Sequence, residues 1–271
     1  MSGSAIGSTA ARVTERALTT PAGRVTALAR AEVTLFLRSK GMILSAVFLP
    51  LVLPFSLRAS IPEADLKDEG LSLGLLLIPG AVGFSLLFAV YLALIGVFVG
   101  RREELVLKRL RTGELRDHEI MAGAALPAVV TSLVQCVLLA VGCSVLLDVA
   151  APKAPLLAVL GVLLGLLMSA ALAALTAGFT RTVESAQVTG LPFVMITMMG
   201  SGVAVPREFL PDRLASVCEL LPFSPVITLV RGGWSGGLST YEALGAVLTA
   251  VAWTAPAVFA VQRWFRWEPR R

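Results

Sequence analysis

The side chains best suited to chemistry are concentrated in one stretch, residues 101–120, which reads RREELVLKRLRTGELRDHEI. Twelve of its twenty residues are ionisable, and they include His118, the only histidine of the chain. A general acid–base site or a metal site needs several such groups held together. The chain has no second histidine, and apolar sequence flanks this stretch on both sides, so no further ionisable groups lie nearby in the sequence to complete such a site. We therefore expect no catalytic, cofactor-binding or metal-binding residues and no enzymatic activity in this chain.

Two other signatures of chemistry give the same expectation. Cys136 and Cys143 are seven residues apart, which is about 10.5 Å along a helix and too far for a disulfide. Cys218 stands alone, so we expect all three to be structural thiols. No G-x-x-x-x-G-K-[ST] loop occurs, so the chain cannot hold ATP in such a loop by itself.

The elements around this stretch are those of a membrane protein. Hydrophobic residues make up 56% of the 271 positions and charged residues 15%, against about a quarter in ordinary soluble domains. Long runs lack Asp, Glu, Lys and Arg, and about 20 helical residues cross a bilayer core. Because backbone groups in lipid must bond to each other, these runs favour helices. The sequence predicts an all-α integral membrane fold with six transmembrane helices, at about residues 41–58, 71–100, 120–147, 155–180, 185–205 and 241–262.

Basic residues predict the orientation. Of the 23 Lys and Arg, 17 lie on the side that holds both termini and residues 101–119. The positive-inside rule makes this side cytoplasmic, and it explains the net charge of +5 better than nucleic-acid binding does. Within residues 101–119, Thr112–Gly113 predicts a break and Asp117 a cap for the following helix. We expect a structured cytoplasmic elbow rather than a simple loop.

The remaining segments complete the domain plan. Residues 1–23 read as a disordered cytoplasmic tail, and the six-span domain covers residues 24–265. Residues 24–40 form an amphipathic pattern typical of an interfacial helix. Glu32 lies in the middle of its apolar face, where it either snorkels or docks onto protein. Prolines interrupt the apolar residues 206–232, so this segment is expected to form two short outer helices that re-enter the membrane or pack on the spans.

The apolar runs limit the substrate class. They contain no carboxylate, Lys, Arg or His, which disfavours an ion or proton relay at mid-membrane. Uncharged polar residues such as Ser132 and Gln135 suit either a path for an amphipathic compound or hydrogen bonds between helices. Gly161 and Gly165 form a G-x-x-x-G pair, which favours close helix packing.

Three stretches in this order resemble a known family. They are ARAEVTLFLRSKGMILSAVFLPLVLP, RREELVLKRLRTGELRDHEIMAG and LPFVMITMMGSGVAVPREFLPDRLASVCELLPFSPVITLVR. They are similar to the interfacial helix with a Pro-containing first span, the ERE-x-GTL-x-x-L-x-x-T-P elbow and the SG-x-x-x-P…LP…LP-x-x-P…R outer segment of type-2 ABC exporter permeases, including daunorubicin-resistance-type drug exporters. The resemblance covers about residues 24–265. Arg101 replaces the first Glu of the elbow motif, Leu105–Val106 replace Gly–Thr, and Gly113 or its neighbour replaces Pro.

The resemblance implies the rest of a transporter. It implies a permease, encoded apart from an ABC ATP-binding subunit that carries ATP and Mg, and paired with a second permease copy or a paralogue. Such a machine exports an amphipathic or hydrophobic drug, antibiotic or lipid-like compound across a bacterial plasma membrane. A secondary transporter or channel-like protein without an ATPase is the alternative, and an intramembrane enzyme is disfavoured by the single histidine.

The elbow would then be the coupling helix, seated in a groove of the ATPase. Leu107 and Leu110 are three residues apart and are expected to face that groove together, while Glu103 or Arg111 fixes the orientation. The coupling residues are Glu32, Glu103, Leu107, Leu110, Arg111 and Thr112. The residues that match the outer segment are Ser201, Gly202, Pro206, Pro211, Pro222, Pro225 and Arg231.

Overall fold

A computed structural model gives the fold of this chain. It describes residues 23, 30, 34, 73–112, 116–146, 149–203, 211–265 and 267. The helices are α1 Leu73–Ser85, a π-helical segment Leu86–Leu92, α2 Ala93–Glu103, α3 Val106–Arg111, α4 Asp117–Leu146, α5 Pro155–Phe179, α6 Val183–Gly200, α7 Asp212–Glu219, α8 Ser224–Ser235 and α9 Thr240–Trp264. All elements in these residues are helical, which confirms the predicted all-α membrane fold.

Four of these helical stretches are long and apolar enough to cross a membrane. They are Leu77–Glu103, Asp117–Val145, Pro155–Phe179 and Thr240–Trp264, and they coincide with four of the six predicted spans. Helix α6 covers most of the predicted span 185–205 but is not among them, because Glu184 and Gln187 make its first turns polar. Six spans therefore remain a prediction.

Several predicted features lie outside the described residues. They are the span at 41–58, the interfacial helix with Glu32 except at two positions, and Pro206. The two positions are Arg30 and Thr34, which are both helical. The hydroxyl of Thr34 donates to the carbonyl of Arg30 at 2.7 Å, a bond within one helical turn.

The column of α1, the π-helical segment and α2 forms the centre of the bundle. Leu86, Val90 and Leu94 on it are fully buried, together with Tyr91. A helix that is apolar on every side belongs in the interior of a protein, and this column matches that rule. Helices α4, α5, α6 and α8 pack around it.

A buried polar cluster ties this column to α4. Ser85 lies at the last position of α1, and its hydroxyl is 3.0 Å from the hydroxyl of Ser132. The same Ser85 hydroxyl donates to Oε1 of Gln135 at 2.5 Å. The three side chains are fully buried. Ser132 and Gln135 therefore make hydrogen bonds between helices, one of the two roles that the sequence left open.

Helices α5 and α8 lie in closer contact than any other pair that the structure describes. A β-carbon at Gly161 would lie 3.0 Å from Cβ of Leu229, and one at Gly165 would lie 2.9 Å from Cγ1 of Val226. Small residues allow this approach because they leave the helix backbone bare. The predicted close packing at G-x-x-x-G is thus present, and its partners are α8 and, at Gly165, Leu86 of the π-helical segment.

Helices α7 and α8 form a broken pair that bends by 95°. Between them, the carbonyl of Leu220 accepts a hydrogen bond from Nε1 of Trp253 at 2.8 Å. The ring of Phe223 packs on that of Phe193, with centroids 6.0 Å apart. Trp253 and Phe193 lie near the middle of α9 and α6, so the break reaches halfway into the bundle. Two short helices thus occur in the predicted segment, but the second, α8, continues past residue 232 to Ser235.

Helix α8 then returns to the end of the bundle where α5 begins. The amide of Ala154 donates to the carbonyl of Gly233 at 2.9 Å. We call this the far end. The end at residues 101–119 is the elbow end, where α5 finishes and α6 starts.

Candidate functional site

The elbow at residues 101–119 is built by a sharp break after α2. The amide of Leu105 bonds to the carbonyl of Arg102 at 3.1 Å, and Leu105 has a φ of +59°. This left-handed conformation turns the chain, and α3 restarts with a bond from the amide of Arg109 to the carbonyl of Leu105. The elbow motif of the family has glycine at this position, and glycine adopts a positive φ without the steric cost that other residues bear.

The second half of the elbow ends in a cap for α4. The backbone amide of Arg116 donates to Oε2 of Glu119 at 2.8 Å, and the amide of Glu119 bonds back to the carbonyl of Arg116. Asp117 and Glu119 also place negative charge at the helix N-terminus, where the macrodipole favours it. The prediction that Asp117 caps this helix is therefore wrong: Asp117 is the first residue of α4, and Glu119 makes the capping bond.

The base of the elbow contains a fully buried arginine. Nη1 of Arg102 donates to the carbonyl of Ala177 at 2.9 Å, and Nη2 donates to the carbonyl of Thr180 at 2.5 Å. Both carbonyls lie at the end of α5, where backbone acceptors lack partners within the helix. From the sequence, Arg102 is one of 17 basic residues that predict the orientation in the membrane. The available clue was its match to the Arg of the ERE motif, between Arg101 and Glu103.

The elbow base also contacts the beginning of α6. A β-carbon at Gly100 would lie 3.3 Å from Cγ2 of Val183. Residue Thr182 caps α6 in a reciprocal capping box with Ser185. The Glu184 carboxyl accepts hydrogen bonds from the backbone amide of Glu184 and from the Thr182 hydroxyl. These bonds hold the pKa of the carboxyl below its usual value. The α5–α6 turn, residues 180–182, is therefore an ordered neighbour of the elbow with a charged surface.

The leucines of the elbow differ from the expected arrangement. Leu107 is 0% exposed, so it packs inside this chain and does not face a partner. Leu110 is partly buried. The exposed apolar side chain is that of Leu105, at 45%, and this residue has the positive φ at the break between α2 and α3. The apolar contact surface of the elbow therefore centres on Leu105 rather than on a Leu107–Leu110 pair.

The polar residues predicted for coupling are on the outside of the elbow. Glu103, Arg111 and Thr112 are exposed. Nε of Arg111 pairs with Oδ1 of Asp117 at 3.0 Å, and its guanidinium lies 5.0 Å from the ring centre of Trp267. The hydroxyl of Thr112 donates to the carbonyl of Arg109 at 2.8 Å. Arg111 thus closes the elbow across the break and joins it to the end of the chain.

The predicted outer-segment residues lie away from the elbow, at or toward the far end. Ser201 is buried, and Gly202 has a φ of +77°, a conformation that suits glycine. Pro222 and Pro225 are buried at the break before α8, while Pro211 is exposed at the start of α7. Arg231 is partly buried on α8. The two predicted groups of residues are therefore separate, and the elbow is the better candidate for contact with another protein.

Within the described residues, no three His, Cys, Asp or Glu side chains come together as metal ligands. The elbow instead offers an apolar side chain, charges of both signs and a rigid base, which are features of a protein contact surface.

Comparison with known proteins agrees with this description. The model of one family, the ABC-2 type transporters, matches residues 24–234, which is more than half of the chain. A search of curated proteins gives no match. The chain carries the membrane-length helices of a transport component and is matched over its interfacial, elbow and outer segments. It belongs to the ABC-2 type transporter family.

Proposed function

We propose that this chain is the permease subunit of an ATP-driven exporter in a bacterial plasma membrane, with both termini cytoplasmic. A separately encoded ABC ATP-binding subunit, which binds ATP and Mg, supplies the energy. The observation that carries this proposal is the elbow, with Leu105 exposed above the buried base at Arg102. The family itself implies an ABC ATP-binding partner, and the elbow is the docking site that we assign to it.

The docking surface consists of Leu105 as the apolar anchor, with Glu103, Leu110, Arg111 and Thr112 around it. Apolar anchors near the centre of an interface contribute most of the affinity, whereas charged residues at the rim fix orientation and partner choice. Glu32 and its helix, which lie outside the described residues, are a second contact in this proposal.

We propose an amphipathic or hydrophobic substrate, such as a drug, an antibiotic or a lipid-like compound. Efflux of such a compound would confer antibiotic resistance. The described interior suits an uncharged compound, because the buried side chains outside the elbow end are apolar or uncharged. A second permease, either a copy of this chain or a paralogue, completes the path.

A secondary transporter is the other candidate. It normally needs ionisable groups at mid-membrane. In the part of the chain that the structure describes, the buried charged side chains are Arg102 and Glu119, and both lie at the elbow end. This distribution favours an external source of energy over a proton or ion relay.

Co-purification tests the proposal. The tagged chain is co-expressed with an ABC ATP-binding subunit encoded by a neighbouring gene, and the purified complex is assayed for MgATP hydrolysis. Leu105→Asp is the elbow variant, and Leu214→Asp on α7 is the matched control, since Leu214 is 49% exposed at the far end.

We expect Leu105→Asp to lower co-purification about tenfold or more by loss of an interface anchor, and Leu214→Asp to leave it unchanged. Inside-out vesicles should then take up an amphipathic fluorescent dye only with MgATP. Complete retention of the ATP-binding subunit by Leu105→Asp would move the docking site elsewhere. Dye uptake driven by a proton gradient without ATP would support the secondary transporter instead.

A further inference from the structure

We propose that Arg102 is a positioning residue that joins the elbow to α5, so that the two move as one body when the elbow is displaced. The inference rests on the proposed function, because it takes the elbow as the point where an ATP-binding subunit acts. It assigns the next step, the transfer of that displacement into the membrane bundle, to one side chain and one helix.

The contacts of Arg102 are suited to this role. Its guanidinium donates to two carbonyls, those of Ala177 and Thr180, on either side of the end of α5 at Phe179. The last carbonyls of a helix have no partners within the helix and carry the negative end of its dipole. Arginine presents a planar fork of donors that can hold two acceptors at once, whereas lysine is a single point of charge. Because Arg102 is fully buried, exchange of these bonds with water is suppressed.

A second contact strengthens the same junction. Gly100 is two residues, about half a turn of helix, before Arg102, and it packs against Val183, the first residue of α6. The end of α2 is therefore held to both sides of the α5–α6 turn. One residue alone would allow the elbow to pivot on α5, but two contacts on different elements fix its direction.

Helix α5 continues from this junction to the far end, where it lies against α8. Gly165 faces Val226, and Gly161 faces Leu229 and Val230. Helix α8 belongs to the broken pair whose break reaches the middle of the bundle. A displacement of the elbow that moves α5 thus also moves α8, which connects the proposed ATPase site with the interior of the bundle.

The test measures whether a displacement at the elbow end changes the structure at the far end, in the complex with the ATP-binding subunit. Cys136, Cys143 and Cys218 are replaced by alanine, and an environment-sensitive fluorophore is attached to a cysteine at Arg213 on α7. Arg213 is exposed, and Cys218 on the same helix lies beside Gly200 at the end of α6 away from the elbow. MgATP with vanadate should change the fluorescence of this probe in the otherwise unchanged chain.

Arg102→Met keeps the apolar stem and removes the donors, and Arg109→Met is the matched control on the exposed side of α3. We expect Arg102→Met to co-purify normally and to hydrolyse ATP but to lose most of the vanadate-induced fluorescence change. Arg109→Met should keep the full change, and Arg102→Lys should keep part of it. A full fluorescence change in Arg102→Met would overturn the proposal.

A covalent link provides the second measurement. Cysteines at Gly100 and Val183 are suited to a disulfide across the junction, since a β-carbon at Gly100 would lie 3.3 Å from Cγ2 of Val183, the position that a cysteine sulfur can take. Val183 begins α6 directly after the α5–α6 turn. If the end of α2 moves as one body with this turn, oxidation of the pair should leave the fluorescence change intact with Arg102 present and restore it in Arg102→Met. Loss of the change on oxidation in the chain with Arg102 would show that the two elements must move apart, and would sink the proposal even if Arg102→Met fails to insert.

The two hypotheses fail in different ways. Absence of any co-purifying ATP-binding subunit contradicts the proposed function. Spin labels at Glu104 and Arg181 in the permease alone still test the junction. They should give a narrow distance distribution that broadens in Arg102→Met and stays narrow in Arg109→Met. An unchanged distribution in Arg102→Met contradicts the inference alone.

Discussion

Gly233 of α8 touches Ala158 of α5 backbone to backbone. A β-carbon at Gly233 would lie 2.6 Å from the nitrogen of Ala158 and 2.9 Å from its Cα. The neighbouring amide of Ala154 donates to the carbonyl of Gly233 at 2.9 Å, which holds the two segments at this separation. At Gly233 the two helices therefore approach so closely that backbone atoms of α5 occupy the space that a side chain on α8 would need.

Gly233→Ala should therefore destabilise the protein. Backbone atoms cannot rotate away as the end of a side chain can, so overpacking is expected to cost about 1–3 kcal/mol. Thermal unfolding in detergent micelles, followed by loss of the monodisperse peak in size-exclusion chromatography, measures this loss. Gly178→Ala on α5 is the control, because a β-carbon there has no neighbour within 4 Å. It should leave the unfolding temperature unchanged or raise it, and an equal loss in both variants would contradict the backbone contact.

Leu105→Gly should separate the stability of the elbow from its binding. A left-handed conformation costs a residue with a β-carbon about 1–2 kcal/mol, and substitution by glycine removes this cost. Glycine also makes the unfolded chain more flexible, which lowers the net gain in stability by about 0.5–1 kcal/mol. Amides of α3 should exchange with deuterium more slowly in Leu105→Gly, while co-purification with the ATP-binding subunit falls. Leu105→Ala keeps the β-carbon and removes the contact, so it should lose binding without slower exchange. Faster exchange in the glycine variant would argue against strain at this residue.

Leu107→Ala should act on folding rather than on docking. Leu107 is completely buried in the chain itself. Truncation of a buried leucine to alanine costs about 2–5 kcal/mol, depending on how far the site collapses. The unfolding temperature of the permease alone should fall, and faster exchange should appear in α3. A loss of binding to the ATP-binding subunit with no loss of stability would return Leu107 to the docking surface.

Cysteine accessibility should give the orientation. In a chain without native cysteines, a cysteine at Glu104 should react with a membrane-impermeant maleimide only after the cells are permeabilised. A cysteine at Arg213 should react in intact cells. Both positions are exposed and lie at opposite ends of the bundle. The prediction follows from the excess of basic residues on the elbow side. Labelling of Glu104 from outside would reverse the topology and exclude a cytoplasmic ATPase at the elbow.

The long helices were predictable because one physical requirement dominates them. A helix such as α5 needs only length and apolar composition, and both can be counted in the sequence. The break at residues 220–223 was also predictable, since Pro222 and Pro225 interrupt an apolar run. Its depth was not, because depth depends on Trp253 and Phe193, which come from other helices.

The elbow shows where prediction from the sequence stops. The charge pattern located it, but the helical spacing of Leu107 and Leu110 suggested a shared exposed face. That reasoning assumes that α3 continues the direction of α2. The positive φ of Leu105 turns α3, so Leu107 is buried and Leu105 is exposed. A left-handed leucine has no signature in composition or periodicity.

Arg102 was missed for a related reason. Seventeen basic residues on one side of the membrane look alike in a count, and positive-inside reasoning treats them as equivalent. Arg102 differs from the others because it donates hydrogen bonds to carbonyls at the end of α5. Helix α5 begins more than fifty residues after Arg102 in the chain. Only the assembled bundle brings these groups together.

The π-helical segment Leu86–Leu92 bears on how this architecture can change over evolution. An α-helix winds by about 100° for each residue, and a π-helix, with its i→i+5 bonds, winds by less. The side of the column on which the elbow projects is therefore set by the helical rotation within residues 86–92, before the elbow begins. Loss of one residue within 86–92 could reorient the whole elbow while leaving its own sequence untouched.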